Sequence, residues 1–232
     1  MINNKGSLLY KGKLKMEIRE KVNSIITILK NQYSDAACSL TYEKPYELLF
    51  ATRLAAQCTD ARVNIVTKKL FKKYPSLEAF KNADLNELME DVRSCGFYKV
   101  KAANIKEAAE ILVNKYNGRV PDNMDELLTL PGVGRKTANL ILGDIYHKPA
   151  IVTDTHCIRI SNRLGLVSTQ DPLKVELGLK AIIPEKEQSN FCHRLVFFGR
   201  DICTSRSPKC NICPIYEYCD YGKNIKVKNN SI

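Results

Sequence analysis

The sequence lacks three patterns that would place it in large classes of protein. No apolar run approaches the ~20 residues that cross a bilayer as a helix. Residues 1–15 are polar and basic, without the apolar centre of a secretory signal. No stretch alternates apolar and polar residues with the period of a half-buried β-strand. We therefore expect a soluble, intracellular protein that is nearly all helical.

Acidic residues are also in deficit. The 232 residues include 36 lysines and arginines but only 25 aspartates and glutamates, which gives a formal net charge of +11. Such a balance favours a polyanionic partner, although basic proteins without one are common. The length allows one large domain or two small ones with a substantial core.

Apolar residues recur at helical spacing along most of the chain. Pro45 suits the first position of a helix, and Ser76 and Asp84 are good N-caps for two short ones. Helices are predicted at residues 14–30, 46–58, 77–82, 85–94, 100–116, 171–181 and 185–199, with a further helix capped by Asp60.

Two further helices are predicted around the short segment Pro131-Gly132-Val133-Gly134. Asp122 or Asn123 can cap the incoming helix, and the outgoing helix begins near Arg135. The glycines permit backbone angles and close approaches that side chains forbid. The first N–H groups of the second helix have no partner within it, so this hairpin can bind a phosphate.

Two residues near the hairpin carry candidate chemistry. Lys136 can be a phosphate-binding point charge, the more frequent role of such a lysine, or a nucleophile. The positive end of a helix and partial burial would both lower the pKa of a lysine there. Asp154 precedes an apolar-periodic run at residues 157–165. It can be an ordinary N-cap, or a catalytic carboxylate if it faces the hairpin.

Four of the nine cysteines cluster near the end, in the pattern Cys203-x6-Cys210-x2-Cys213-x5-Cys219. This pattern can be interpreted as a zinc site, because four cysteines make a good tetrahedral site. The unsymmetrical spacing and the proline after the third cysteine favour an iron–sulfur cluster. The remaining five are interpreted as small buried hydrophobes: Cys38, Cys58, Cys95, Cys157 and Cys192.

Basic residues accompany this cysteine loop. Arg206 and Lys209 lie between its first two cysteines, and Arg200 comes just before them. A loop held rigidly and carrying these charges suits the phosphate backbone of a nucleic acid.

Leu130-Pro-Gly-Val-Gly-Arg-Lys-Thr-Ala-Asn139, Val152-Thr-Asp-Thr-His156 and the cysteine spacing resemble the endonuclease III family of DNA repair glycosylases. The resemblance extends from about Tyr46 to Cys219. It implies an all-α, two-domain helix-hairpin-helix DNA glycosylase fold. A six-helix bundle domain would span residues 35–149. An iron–sulfur cluster domain would comprise residues 1–34 and 150–222, followed by a basic tail at residues 223–232.

The resemblance also implies a chemistry. The protein would be a base excision repair DNA glycosylase with abasic-site (AP) lyase activity, acting on oxidised pyrimidines such as thymine glycol. Lys136 would attack the sugar C1′, form a Schiff base and allow β-elimination of the 3′ phosphate. Asp154 would accept the lysine proton or offset positive charge on the sugar. Cys203, Cys210, Cys213 and Cys219 would hold a structural [4Fe–4S] cluster.

Contacts to DNA follow from the same resemblance. Gln57 would fill the gap left by an extruded base, and Phe97 would occupy the position of an apolar wedge, where the family is expected to carry leucine. The plain alternatives are a helix end for Gln57 and a core residue for Phe97. Lys99 and Lys101 fit phosphate contacts or a solvated face. The backbone contacts would come from Gly132, Val133, Gly134, Arg135, Arg200, Arg206 and Lys209.

Several alternatives stay open at this point. Within the fold, a monofunctional glycosylase would lack a hairpin lysine, so Lys136 argues against it, whereas a pyrimidine-dimer glycosylase is compatible with these residues. From another class, a non-catalytic DNA-binding module with a structural metal needs the hairpin and the basic loop but not Lys136 and Asp154 together. We expect damaged double-stranded DNA as partner, a monomer, and a cytoplasmic location, associated with the nucleoid through DNA.

Overall fold

The computed structural model describes the backbone of residues 4–229 and the side chains of residues 16–224, and no strand occurs in that backbone. The helices are α1 (Asn4–Gln32), α2 (Pro45–Ala55), α3 (Asp60–Lys73), α4 (Leu77–Lys81), α5 (Leu85–Asp91), α6 (Tyr98–Tyr116), α7 (Met124–Leu127), α8 (Arg135–Asp144), α9 (Thr155–Arg163), α10 (Pro172–Ile182), α11 (Gln188–Asp201) and α12 (Asp220–Asn229). Every helix among the described residues is too short or too polar to span a membrane.

Side-chain caps begin most of the shorter helices. Ser76 accepts a hydrogen bond from the N–H of Ala79, and Asp84 accepts one from Glu87, so both predicted caps are confirmed. Asp60 was predicted to cap α3 but is instead its first residue. The cap is Thr59, whose hydroxyl accepts from the N–H of Arg62. The acidic side chain in the first turn still complements the positive end of the helix.

One compact unit of the chain is Cys38–Lys148, which contains α2 to α8. Its core includes a group of aromatic rings around Phe80, which is fully buried. The Phe50 and Phe80 rings lie 5.0 Å apart in an edge-to-face arrangement, and Tyr74 approaches Phe80 to 5.1 Å. Such contacts join α2 to the segment after α3.

The other unit comprises the rest of the described residues, before and after this segment, with α1 and α9 to α12. Buried side chains on one face of α1, among them Ile25 and Leu29, pack toward α11, which buries Phe191 and Phe198. A polar cluster also joins the two helices. Glu187, just before α11, lies 3.0 Å from Arg194 and 3.6 Å from Lys30.

The structure differs from the predicted boundaries at two ends. Helix α1 begins at Asn4, ten residues before the predicted start at Leu14. The segment predicted as a basic tail from residue 223 is helical at its start, because α12 continues through residues 223–229. The rest of that tail, residues 230–232, lies outside the described residues.

Candidate functional site

The hairpin between α7 and α8 forms as a tight turn. Asn123, not Asp122, caps α7, and its side chain accepts from the N–H of Glu126 at 2.9 Å. The N–H of Val133 then donates to the carbonyl of Leu130 at 3.1 Å. Gly134 is the N-cap residue of α8 and brings no side-chain cap. The first turn of α8 therefore begins beside a glycine, as a phosphate site on a helix N-terminus requires.

Gly132 occupies a crowded, left-handed position in this hairpin. Its φ is +72°, and an added Cβ would fall on the side chains of Asn104 and Arg53. With its amide oxygen turned toward Arg53, Asn104 accepts hydrogen bonds from the Arg53 guanidinium at 3.0 and 3.1 Å. The same oxygen accepts from the Gly132 N–H at 3.3 Å. The hairpin is thus fastened to α2 and α6 through one shared acceptor.

The remaining hairpin residues face solvent to different degrees. Lys136, the second residue of α8, has an exposed side chain, so the partial burial expected for it is not found. Arg135 and Val133 are half-buried, and Gly134 is exposed. No added Cβ at Gly134 would meet an atom within 4 Å, so its backbone is open to approach by a ligand.

Asp154 lies in the other unit and caps α9. Its Oδ1 accepts a hydrogen bond from the N–H of Cys157 at 2.7 Å, and the residue is half-buried. The plain interpretation of this aspartate as an N-cap is therefore confirmed. A cap bond of this kind also fixes the orientation of the carboxylate, which a catalytic role would need.

Two exposed side chains sit on left-handed backbone in the Cys38–Lys148 unit. Gln57, which follows α2, has φ +55°, and Phe97, which precedes α6, has φ +47°. Phe97 is 68% exposed, so it is not the core residue of the plain alternative. Residues other than glycine adopt left-handed backbone at a cost of about 1–2 kcal/mol. Strain of this kind clusters at functional positions.

Lys101 is neither a phosphate contact nor part of a solvated face, the two roles considered for it. It is 1% exposed. Its Nζ donates to the carbonyls of Leu54, Ala56 and Cys95 at 2.8, 2.7 and 2.7 Å. Burial lowers the pKa of Lys101. Its neighbour Lys99 is exposed, as expected.

The four clustered cysteines line one small pocket, together with apolar residues such as Ile160, Phe198 and Ile215. Burial raises the pKa of Cys213 to about 11. An N–H from Ile215 opposes that rise, and the other three thiols of the cluster add to it. Thiols in such a place lose their protons when they bind a cationic partner.

A zinc ion and an iron–sulfur cube would place different demands on these four cysteines. Within the described residues, no group of three or more His, Cys, Asp or Glu side chains is placed to hold a single metal ion. A zinc ion would draw all four sulfurs to about 2.3 Å from one point. A cube instead takes one cysteine at each of four irons, so its ligands stay further apart around a shared cavity.

Two arginines hold the beginning of the cysteine loop. Arg159 donates to the carbonyl of Cys203 at 2.9 Å. Arg163 donates to the Cys203 sulfur at 3.3 Å and to the carbonyls of Thr204 and Ser205 at 2.7 and 2.8 Å. Its guanidinium also lies 4.6 Å from the centre of the Tyr221 ring.

The basic residues in and just before this loop lie at the surface. Arg200, Arg206 and Lys209 are all exposed. The ammonium of Lys209 lies 3.8 Å from Asp201, a separation at which an exposed ion pair contributes little.

The five cysteines outside the loop follow their predicted burial only in part. Cys95, Cys157 and Cys192 are buried, while Cys38 and Cys58 are half-buried.

The sequence patterns did not reveal which residues support these segments: Arg53, Lys101, Asn104, Arg159 and Arg163. Lys101 was considered only as a phosphate contact or part of a solvated face. Lys101 and Asn104 are three residues apart on α6, a spacing that puts them on one face. That pattern was visible, but it also describes an ordinary solvated face. Two of the three backbone acceptors that show Lys101 to be buried, those of Leu54 and Ala56, lie 47 and 45 residues away in the sequence.

Comparisons with known proteins agree with this geometry. The family model of the HhH-GPD superfamily base excision DNA repair proteins matches residues 50–185. The model of the iron-sulfur binding domain of endonuclease III matches residues 203–219. Endonuclease III of Synechocystis sp. is 44% identical over 202 residues, which are 87% of this chain and 92% of that protein. The chain belongs to the endonuclease III family.

Other relatives support the same assignment. Endonuclease III of Bacillus subtilis is 44% identical over 83% of this chain and 89% of its own. A solved structure of a trapped endonuclease III–DNA covalent intermediate has a TM-score of 0.84 and 44% identity. The match covers 90% of this chain and 98% of the endonuclease III chain in that structure. A thermostable thymine-DNA glycosylase has a TM-score of 0.79 at 25% identity, over 88% of this chain and 98% of its own.

The family membership settles the general activity. The protein is a DNA glycosylase and AP lyase of base excision repair, it binds DNA, and it carries a [4Fe–4S] cluster. The predicted family, the all-helical fold, the enzyme class and the cofactor are confirmed. The non-catalytic DNA-binding module and the zinc knuckle are thereby set aside.

Proposed function

We propose that this glycosylase removes oxidised pyrimidines of the thymine glycol class from duplex DNA, with Lys136 as its nucleophile. The observation that carries the proposal is the position of Lys136, exposed in the first turn of α8, directly after a glycine hairpin suited to phosphate. A lysine so placed can reach a sugar whose flanking phosphate is held by the hairpin.

The first step is extrusion of the damaged nucleotide, because a base inside the stack shields its own sugar. Extrusion costs least where pairing or stacking is already weakened, and a saturated, non-planar pyrimidine stacks poorly. Gln57 would occupy the gap left by the base, and Phe97 would enter the stack as the wedge. Both roles are supported by exposed side chains on left-handed backbone.

The amine of Lys136 then takes part in two steps, first as the nucleophile and then as the nitrogen of a Schiff base. The neutral Nζ of Lys136 attacks C1′, and the bond to the base breaks with its electron pair, so the base leaves and takes up a proton. The nitrogen then loses a proton, the C1′–O4′ bond breaks and O4′ takes up a proton, so the sugar ring opens and leaves a protonated Schiff base at C1′. This Schiff base accepts the electrons released when a proton is removed from C2′. The C3′–O bond breaks, and the 3′ phosphate leaves by β-elimination. Hydrolysis returns the lysine.

Asp154 would accept the lysine proton or offset positive charge on the sugar as the base leaves. Its cap bond to Cys157 supports this role by holding the carboxylate in one orientation. A carboxylate so placed acts at a developing charge without having to reorganise first.

Two groups would hold the DNA backbone on either side of the lesion. The first comprises Gly132, Val133, Gly134 and Arg135 in the hairpin. The second comprises Arg200, Arg206 and Lys209 near the cysteine loop. Cys203, Cys210, Cys213 and Cys219 would each ligate one iron of the cluster, which supplies a rigid scaffold for that basic loop and no bond-breaking chemistry.

The same proposal covers organisation in the cell. The hairpin would belong to a bundle domain at residues 35–149. The cysteine loop would belong to a cluster domain of residues 1–34 and 150–222, followed by the tail at residues 223–232. We propose a monomer that acts in the cytoplasm and associates with the nucleoid through DNA.

Borohydride trapping tests the nucleophile. Wild type and Lys136→Gln are each mixed with a duplex that carries one thymine glycol, and the Schiff base is reduced to a stable adduct. We expect a covalent protein–DNA adduct with wild type and none with the variant. An adduct with both proteins would assign the nucleophile to another residue. Base release by wild type without an adduct would mean that water, not lysine, attacks the sugar.

A further inference from the structure

Lys101 differs from the other buried side chains because the hydrogen bonds of its ammonium all go to backbone carbonyls. An ammonium has three N–H donors, and here each meets one carbonyl, those of Leu54, Ala56 and Cys95, at 2.7–2.8 Å. Leu54 and Ala56 belong to the end of α2, where unpaired carbonyls carry the negative end of the helix dipole. Burying a charge is expensive, so these three bonds are what makes the position tolerable.

The three carbonyls lie in the two segments proposed to enter the duplex. Ala56 directly precedes Gln57, and Cys95 is separated from Phe97 only by Gly96. Both Gln57 and Phe97 hold positive φ angles, of 55° and 47°. Both side chains are exposed, so their own packing does not impose this backbone. The restraint must come from the neighbouring residues, and the Lys101 bonds end on those neighbours.

We infer that Lys101 is a positioning residue that locks the Gln57 and Phe97 loops into one arrangement, so that both side chains enter the duplex together as the nucleotide is extruded. The inference rests on the proposed roles of those two residues in DNA. Lys101 itself does not touch the reacting atoms, since it is 1% exposed. It acts through the two loops.

The same helix also fixes the phosphate-binding hairpin. Asn104, three residues after Lys101, accepts from the N–H of Gly132 and from Arg53. One face of α6 therefore supports both inserting loops and the hairpin. An enzyme that must fill a gap while holding the flanking phosphate needs such a shared support, because a small misplacement of either group reduces the rate steeply.

The test compares one chemical step in two substrates. The full-length, cluster-containing protein is given an abasic site in a duplex, opposite a fluorescent 2-aminopurine, and the same abasic site in a single strand. β-Elimination is measured under single-turnover conditions. The single strand has no stack to enter and no gap to fill, so it does not need the two loops.

The variants are compared by the ratio of their duplex and single-strand rates, so that differences in the folded fraction cancel. Lys101→Met keeps the length of the side chain but removes all three donors. Lys115→Met alters an exposed lysine of the same helix and serves as the matched control. Gln57→Ala and Phe97→Ala are measured alone and in combination with Lys101→Met. Because an unfolded fraction lowers both rates equally, the ratio of duplex to single-strand rate is independent of it.

With Lys101→Met we expect the duplex rate to fall about tenfold or more and the single-strand rate to stay within about twofold. The change in 2-aminopurine fluorescence on binding should be lost. Adding Gln57→Ala or Phe97→Ala to Lys101→Met should cause little further loss, because the three residues act as a unit. Lys115→Met should leave the ratio unchanged.

Other results would overturn the inference. Equal losses on both substrates would make Lys101 a residue of the fold only. Losses that multiply in the double variants would show that it acts independently of the two loops. If Gln57→Ala and Phe97→Ala left the duplex rate intact, their proposed roles would fail, and this inference with them. If those two variants were impaired and Lys101→Met was not, the inference alone would fail.

Discussion

Arg163 donates a hydrogen bond from its guanidinium to the sulfur of Cys203 across 3.3 Å. The same side chain donates to the carbonyls of Thr204 and Ser205. One residue of α9 thus contacts a proposed cluster ligand and fixes the segment that leads to Arg206. Hydrogen bonds to ligand sulfurs are among the features that set the reduction potential of an iron–sulfur cluster.

Replacing Arg163 by methionine should therefore have two effects. Each hydrogen bond from a charged donor contributes about 1.5–3 kcal/mol, so we expect the cluster to be lost to a chelator about tenfold faster or more. Removal of the N–H···S bond should also make the reduction potential more negative. Decay of the visible absorbance and voltammetry on a DNA-free electrode measure the two effects.

Arg159→Met is the matched control for this experiment. Arg159 donates to the carbonyl of Cys203 at 2.9 Å and not to its sulfur. We expect faster cluster loss in this variant with little change of potential. Equal shifts of potential in both variants would contradict a specific effect of the Arg163 bond to sulfur.

The two hairpin glycines should respond differently to alanine. At Gly132 an added Cβ would strain a φ of +72° and fall on Asn104 and Arg53, whereas at Gly134 it would meet nothing within 4 Å. We expect Gly132→Ala to destabilise the protein by at least about 1–2 kcal/mol, the cost of left-handed backbone alone. Urea unfolding followed by circular dichroism measures this difference.

Gly134→Ala should instead leave the free energy of unfolding within about 0.5 kcal/mol. Its expected effect is on DNA, because a methyl group would stand where a phosphate approaches the first turn of α8. We expect about tenfold weaker binding to an abasic duplex in a fluorescence anisotropy titration. Unchanged affinity would show that the phosphate does not approach Gly134.

Three of the helix starts were predictable from the sequence because a cap is a local interaction. Ser76, Asp84 and Asp154 each accept from an N–H three residues further on, and no distant residue is needed. The burial of Lys101 was not predictable, since two of its three acceptors lie 45 and 47 residues away. The family motifs identified the hairpin and the cysteine loop, but the residues that support them carry no motif.

Glu187 should give the stability of the protein a dependence on acid pH. Burial alone would raise the pKa of Glu187, but Arg194 at 3.0 Å and Lys30 at 3.6 Å outweigh it and lower that pKa. The carboxylate therefore contributes stability that is complete above its unfolded value of 4.5 and is lost as the pH falls through the lower folded value.

Glu187→Gln should lower the free energy of unfolding at pH 7 by on the order of 3 kcal/mol, because Arg194, only 6% exposed, loses its partner. Below pH 4.5 the difference from wild type should shrink. Urea unfolding at several pH values measures both. Glu90→Gln removes an exposed pair with Arg93 and should change stability by less than about 0.5 kcal/mol. A difference that stays constant with pH would contradict the argument.

Substitutions of Asp154 can separate its role as the N-cap of α9 from its proposed role in catalysis. Asparagine caps a helix about as well as aspartate, whereas alanine does not cap and costs about 1 kcal/mol. Asp154→Asn should therefore leave the free energy of unfolding within about 0.5 kcal/mol of wild type, and Asp154→Ala should lower it by about 1 kcal/mol. Both variants lose the negative charge that the proposed mechanism uses.

We expect single-turnover excision of thymine glycol to fall by about 10²–10⁴ in both variants, the range for loss of a proton-transfer group. The loss in Asp154→Asn would be assigned to charge, because the cap and the fold are retained. Near-normal excision by Asp154→Asn, with slower excision by Asp154→Ala, would mean that the residue serves only as the cap of α9. The proton of Lys136 would then have to be taken up by another group.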